Sequence, residues 1–176
     1  MSIRLQNFAL LVAFIVLSSI TSTQMWILFR WLMIPHMLLI LIVAGIGENL
    51  VSSQGYYHYA KNDTNGPFLR RMPVWILFLW VFSVQASLLI PLSFGLDGMS
   101  AIIASGLIAS SVDFYFIEPF MSGRKGLWLW KSVENGYFRF IPRDMNRFTA
   151  PAGNYLTWLI FPICVNLFLA LLVIHF

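Results

Sequence analysis

Charge is what this chain has least of. Of its 176 residues only 10% are charged, against 59% that are hydrophobic. A soluble globular domain carries about 25% charge, and a single soluble core cannot bury so much apolar sequence in so short a chain. A lipid-facing surface can. The formal net charge of +4 has no water-exposed domain to carry a basic stripe, so a nucleic-acid partner is excluded. A single cysteine, Cys164, excludes an intrachain disulfide framework and reads as a small buried hydrophobe. The three histidines, His36, His58 and His175, are far apart. Membrane di-iron oxidases need several at short helical spacing, so no metal site and no metal redox chemistry are expected.

What is present is apolar and segmented. Arg4 ahead of Phe8–Leu17 has the outline of a signal peptide. The cleavage context at Ser18–Thr23 is weak, however, and apolar sequence resumes at Met25, so a retained helix is expected. Five segments approach the roughly 20 residues that cross a bilayer: residues 7–23, 31–50, 73–92, 99–117 and 155–175. Pro73 would sit in the first turn of the third, and Glu118-Pro119 would end the fourth. The expected fold is an all-α integral membrane protein, a single domain over residues 1–176 with about five transmembrane helices. No internal repeat is visible, which argues against a transporter.

Loop charge orients the bundle. Five crossings put the N-terminus and two long loops, Val51–Met72 and Phe120–Asn154, on one side. Ten of the eleven Lys and Arg residues lie there, leaving Arg30 alone opposite. By the positive-inside rule that side is cytoplasmic, with the C-terminus across the cell membrane. The sequon Asn62-Asp63-Thr64 would then never meet a glycosyltransferase.

Three carboxylates fall at or near membrane depth: Glu48, Asp113 and Glu118. Ionisable groups there usually face the bundle interior or a wet cavity. Ala101, Ser105 and Ala109 make a small-residue stripe that allows close helix approach, and Asp113 is its next member. Asp113 and Glu118, five apart, lie roughly 140° around an α-helix, so they share a face only if the helix breaks before Pro119. A carboxylate at a helix end also suits the headgroup region, paired with Arg124 or Arg70. The approach of Glu48 and Asp113 to one end favours a functional role. Tyr56, Tyr57, Tyr59, Trp75, Trp128, Trp130, Tyr137 and Trp158 gather at the same level. They read either as an interfacial belt or as the wall of a pocket. The opposite side, with Trp26 and Trp31, is sparser than a belt alone would leave it.

The order of these residues resembles the membrane carotenoid-biosynthesis family that contains the bacterioruberin-type and γ-carotene-type carotenoid hydratases. The resemblance covers roughly residues 45 to 160. It runs through Glu48, Gly55-Tyr56-Tyr57-His58-Tyr59, Pro73 and Trp75, then Asp113 and Glu118-Pro119. Trp128-Leu129-Trp130, Tyr137, Ile141-Pro142 and Asn154-Tyr155-Leu156-Thr157-Trp158 complete it. Glu118-Pro119 stands where that family has Asp-Pro, Thr157 where it has glycine, and Arg143–Gly153 lengthens a short spacer. The chain is also shorter than those hydratases on the N-terminal side.

The resemblance implies cofactor-independent hydration of a terminal alkene in an acyclic carotenoid or related isoprenoid, a hydro-lyase reaction. An intramembrane carboxyl group is a suitable proton donor. Asp113 is expected as the acid with Glu118 in support, Glu48 as the group that orients or deprotonates water, and Asn154 as a holder of that water. The aromatics would stabilise a carbocation through their ring faces. The expected partners are membrane lipid and a hydrophobic polyene, and a membrane-protein partner or homo-oligomer is compatible. Two other classes remain open. One is a carotenoid end-group cyclase, whose Pro-x-Glu-Glu element has only Pro142-Arg143-Asp144 as an approach here. The other is a non-catalytic, lipid-binding subunit, docked through the basic stretch Arg143–Gly153.

Overall fold

The computed structural model describes residues 3–61, 65–131 and 150–175, with side chains from residue 8 to 174 in those ranges. Tyr137, Ile141-Pro142, Asn62-Asp63-Thr64, the side chain of Arg4 and most of Arg143–Gly153 lie outside the described residues. The described fold is mostly helical. Four helical runs among the described residues are long and apolar enough to cross a membrane: Phe8–Ser53, Trp75–Ser93, Gly98–Arg124 and Ala152–Ile174.

The first run holds two helices, α1 (Ile3–Phe29) and α2 (Met33–Ser53), joined by a single tight turn at Arg30–Leu32. Arg30 adopts a positive φ of 54°, which breaks the helical path. The expected link at residues 24–30 is therefore mostly helix. Ser19 and Thr23 return their hydroxyls to carbonyls four residues back, so the Ser/Thr-rich stretch stays helical.

Helix α3 (Trp75–Ser93) is central. Phe14 stacks on Trp75, and Thr21 bonds Gln85, so α1 runs alongside α3 in the same direction. Asn49 accepts from the Arg71 amide, just ahead of α3, so α2 runs the opposite way. Pro73 is not in the first helical turn as expected. It ends β3 (Met72–Pro73), paired with β2 (Phe68–Leu69) in a tight hairpin.

Helix α4 (Gly98–Val112) does not stop at Glu118-Pro119. It widens into a π-helical segment, Asp113–Arg124, and continues. Pro119 lacks an amide and its ring crowds the carbonyl four residues back. A wider turn with i→i+5 bonding relieves that contact without ending the helix. Helix α5 (Ala152–His175) packs antiparallel to α4: Ser110 bonds the Tyr155 carbonyl and Asn166 bonds Ser105. Gly106 makes that approach possible, because a Cβ there would collide with the Leu159 carbonyl and the Ile163 side chain. The stripe Ala101, Ser105, Ala109 and Asp113 is buried throughout. Cys164, expected inside, faces outward from α5.

The two long connections are not plain loops. Each leaves its helix through a glycine with positive φ, Gly55 (79°) and Gly126 (60°), and enters a short strand. Strands β1 (Tyr57–Tyr59) and β4 (Trp128–Trp130) pair antiparallel, with Tyr57 opposite Trp130 and Tyr59 opposite Trp128. The period-two alternation of a strand turns these four rings to one face and His58 and Leu129 to the other. Asn65 secures the ribbon through the carbonyls of Ala60 and Leu127. The ribbon caps the end of the bundle where α2 and the π-helical segment finish and α3 and α5 begin.

Candidate functional site

Under that ribbon the three carboxylates meet. Asp113 and Glu118 are only 1% and 2% exposed. The π-helical segment explains how residues five apart come to one face without the expected break: an i→i+5 ladder places them roughly one turn apart. Both then reach Asn154 in the first turn of α5. Asn154 Nδ2 donates to Asp113 Oδ2 at 2.6 Å and to Glu118 Oε1 at 3.3 Å. An amide nitrogen has two hydrogens, and both are used here. Turned over, the amide would set its oxygen against two carboxylates. The expected role of Asn154 as a water holder is thus overlaid by a structural one.

Glu118 also accepts from the indole N–H groups of Trp128 and Trp130, at 3.1–3.2 Å. Glu48, at the end of α2, accepts from the Tyr57 hydroxyl, from Tyr59 at 2.7 Å and from Trp80 Nε1 at 2.8 Å. Thus all four ribbon aromatics point their polar tips at a carboxylate. This goes beyond an interfacial belt, whose polar tips face headgroups and water. Burial, and then the Glu48 charge alongside, push the Tyr57 and Tyr59 hydroxyls well above the usual phenol range, so both remain protonated donors. The remaining carboxylate oxygen, Asp113 Oδ1, is buried and has no hydrogen-bond partner among the described residues.

Two cavities meet at this centre. A small one of about 40 Å³ is walled by all three carboxylates together with Tyr57, Tyr59, Leu79, Trp80, Ile117, Trp128, Trp130, Asn154 and Trp158. It has room for a water or two. A larger one of about 370 Å³ lies between α2 and α5, lined by Val43, Gly47, Tyr56, Thr157 and Phe161 among others. Glu48, Tyr57, Trp80, Trp130 and Asn154 border both cavities.

No family model, curated protein or solved structure matches this chain.

Of the residues expected at the site, Glu48, Asp113, Glu118, Tyr57, Tyr59, Trp128, Trp130, Asn154 and Trp158 lie together, and Tyr56 stands at the outer cavity. Trp75 does not line it. It is packed in the core between Phe14 and Trp128. Trp80 was missed. It stacks on Trp158 with centroids 4.0 Å apart while donating to Glu48. Its signal was position: a tryptophan inside α3, away from a helix end, is misplaced for an interfacial belt and needs a partner for its N–H. Among the described residues, no group of three His, Cys, Asp or Glu side chains is arranged to hold a metal ion.

Proposed function

We propose that this protein hydrates a terminal trisubstituted alkene of an acyclic carotenoid or related isoprenoid, without a cofactor, inside the membrane. Asp113 is the acid. Its proton, carried on Oδ1, goes to the less substituted alkene carbon, and the π electrons form the new C–H bond. The cation left on the tertiary carbon is faced by aromatic rings, worth roughly 0.5–2 kcal/mol each when desolvated. Water adds its oxygen to that carbon, and its surplus proton passes to Glu48. Exchange with water at the ribbon end returns Asp113 to its acid form and Glu48 to its base form. The net change is one water added.

The observation that carries this reading is the unequal wiring of three converging carboxylates. Glu48 has three donors, two of them on one oxygen, and Glu118 is met on both oxygens. Those bonds favour carboxylates that accept. Asp113 alone keeps an oxygen without a partner among the described residues, on a cavity that also reaches Glu48. A proton there has no competing hydrogen-bond acceptor among the described residues. The gap between α2 and α5 provides lateral access from lipid.

The same reading gives the topology. The apolar run Phe8–Ser53 crosses twice, turning at Arg30, so the chain spans the cell membrane five times. The ribbon end faces the cytoplasm and the C-terminus lies opposite, a placement that the ten-to-one distribution of Lys and Arg supports.

The test is Asp113→Asn in a host that accumulates an acyclic carotenoid, with product resolved by mass spectrometry. Wild type is expected to add one water, and the variant to lose about 10²-fold or more of that activity at equal membrane abundance. Hydroxylated product at the wild-type rate would remove Asp113 from the acid role. A product of unchanged mass with a new ring would assign cyclisation instead, and no turnover with co-purifying proteins would assign a non-catalytic subunit.

A further inference from the structure

The carboxylate cavity shares part of its wall with a second apolar groove. On the α2/α5 side it shares Glu48, Tyr57, Trp80, Trp130 and Asn154 with the larger cavity. On the other side its wall includes Leu79 of α3 and Ile117 of the π-helical segment. Those two side chains also line a third cavity, about 310 Å³, between α3 and α4. That groove is almost wholly apolar, walled by Phe14, Phe82, Ile108, Val112, Phe116 and Met121 among others, and reaches down α3 to Ile90. Eleven residues of helix make it roughly 16 Å long. Two apolar grooves therefore approach the carboxylates from different sides of the bundle, and Leu79 and Ile117 stand between the carboxylates and the second groove.

The geometry points to Leu79 and Ile117 as the residues that restrict reaction to the chain end. This rests on the activity proposed above and specifies its substrate: a linear hydrocarbon whose terminal dimethyl-substituted alkene enters from the α2/α5 cavity and stops against the Leu79–Ile117 wall. The space of about 40 Å³ beside Asp113 is too small for a chain to pass through. An internal double bond would need hydrocarbon on both sides of Asp113, and the wall denies it room. With the wall cut back, the α3/α4 groove becomes the continuation of the track. The chain end can then pass beyond Asp113 and bring an internal alkene to the acid.

The test is Leu79→Ala combined with Ile117→Ala, expressed in a host that accumulates an acyclic polyene with trisubstituted alkenes at its ends and along the chain. The position of the added hydroxyl is read by fragmentation mass spectrometry. One methylene in an apolar pocket discriminates by about tenfold or more. The double variant is therefore expected to raise the internal-to-terminal product ratio at least about tenfold, whatever its total rate. Leu79→Val and Ile117→Val give smaller shifts in the same direction and cover the case in which the double variant does not fold. Refilling the wall with Leu79→Ala/Ile117→Phe is expected to restore end selectivity. Wild-type hydration with an unchanged product ratio in every folded variant would overturn the wall and leave the activity standing. No hydration by wild type itself would overturn the activity on which the wall rests.

Discussion

At the residue scale, the site is a question of where polar tips can go. Each ribbon aromatic brings a donor into a region with little water, and each donor finds a carboxylate. Charged hydrogen bonds contribute about 1.5–3 kcal/mol, and a buried carboxylate left short of donors costs as much or more. The tyrosine pair makes this measurable by pH. Burial and the Glu48 charge raise the Tyr57 and Tyr59 hydroxyls in the folded protein, while in the unfolded chain they titrate near the ordinary value of about 10. A raised folded value means that the stabilising contribution is fully present below about pH 10 and is lost as pH rises above it. The unfolding temperature in detergent should therefore be insensitive to these groups from pH 7 to 9 and fall above about pH 10. Tyr57→Phe with Tyr59→Phe should start lower, because Glu48 loses two donors, and fall less at alkaline pH. An equal alkaline fall in both proteins would show that the two phenols do not carry the effect. Sequence placed both tyrosines at the right level but not their partner. Glu48, Tyr57 and Tyr59 are close in the chain, yet only the strand, in which alternate residues share a face, turns both hydroxyls inward. The position of Trp80 was a signal, but its partner was not legible for the opposite reason, since it lies 32 residues away.

At the element scale, the decisive feature is the π-helical segment. An α-helix through Asp113–Arg124 would set Asp113 and Glu118 about 140° apart and leave one of them facing lipid, at the cost that an ionised or unpaired group meets there. Pro119 supplies the local reason for widening, and Asn154 rewards it by bonding both acids. Pro119→Ala removes the steric reason while keeping every polar contact available. The expected outcome is a segment nearer α-helical, with Glu118 drawn off the Trp128 and Trp130 indoles. Indole emission should shift as those N–H bonds are lost, and turnover should fall about tenfold or more, as misplacement by ~1 Å can do, at normal yield and thermal stability. Unchanged emission and turnover would mean that Asn154 and the indoles hold the wide turn by themselves. Sequence carried half of this. The five-residue spacing exposed the conflict, and Pro119 marked its place, but pre-proline geometry suggested a break, whereas the segment resolves the conflict by changing pitch. The ribbon was equally hidden, because three-residue strands far apart in the chain have no periodicity long enough to read.

At the scale of the whole molecule, the two ends of the bundle do different work. The ribbon end gathers the carboxylates. Near the middle and far end, each helix contributes a small polar contact: Thr21 and Ser22 bond Gln85, and His36 meets Asn166, which bonds Ser105. Such contacts hold membrane helices in register at about 0.6 kcal/mol each, and they account for polar residues in segments that are otherwise apolar. Apolar length made helices long enough to cross a membrane legible from sequence, because it depends on composition and not on partners. Sequence did divide α1 from α2, with a link expected at residues 24–30, but not the tight turn at Arg30–Leu32 that makes it. The apolar run Phe8–Ser53 is 46 residues long, about twice what one crossing needs, and only the positive φ at Arg30 marks the turn. In the arrangement proposed above, two crossings in that run make five in all and leave the ends of the chain on opposite sides. Four crossings would leave them on the same side and would place α2, with Glu48, out of reach of the ribbon. A periplasmic-activity reporter fused after Phe176 should therefore be active, while one inserted at Lys61, within the first ribbon connection, should be silent. Deleting Arg30–Leu32 to fuse α1 and α2 into one rod should invert the Lys61 readout and abolish turnover, because Glu48 is carried away from Asp113. Matching reporter activity at Lys61 and after Phe176 in the unaltered chain would exclude the five-crossing arrangement, and an active reporter at Lys61 with a silent one after Phe176 would overturn the cytoplasmic placement of the carboxylates.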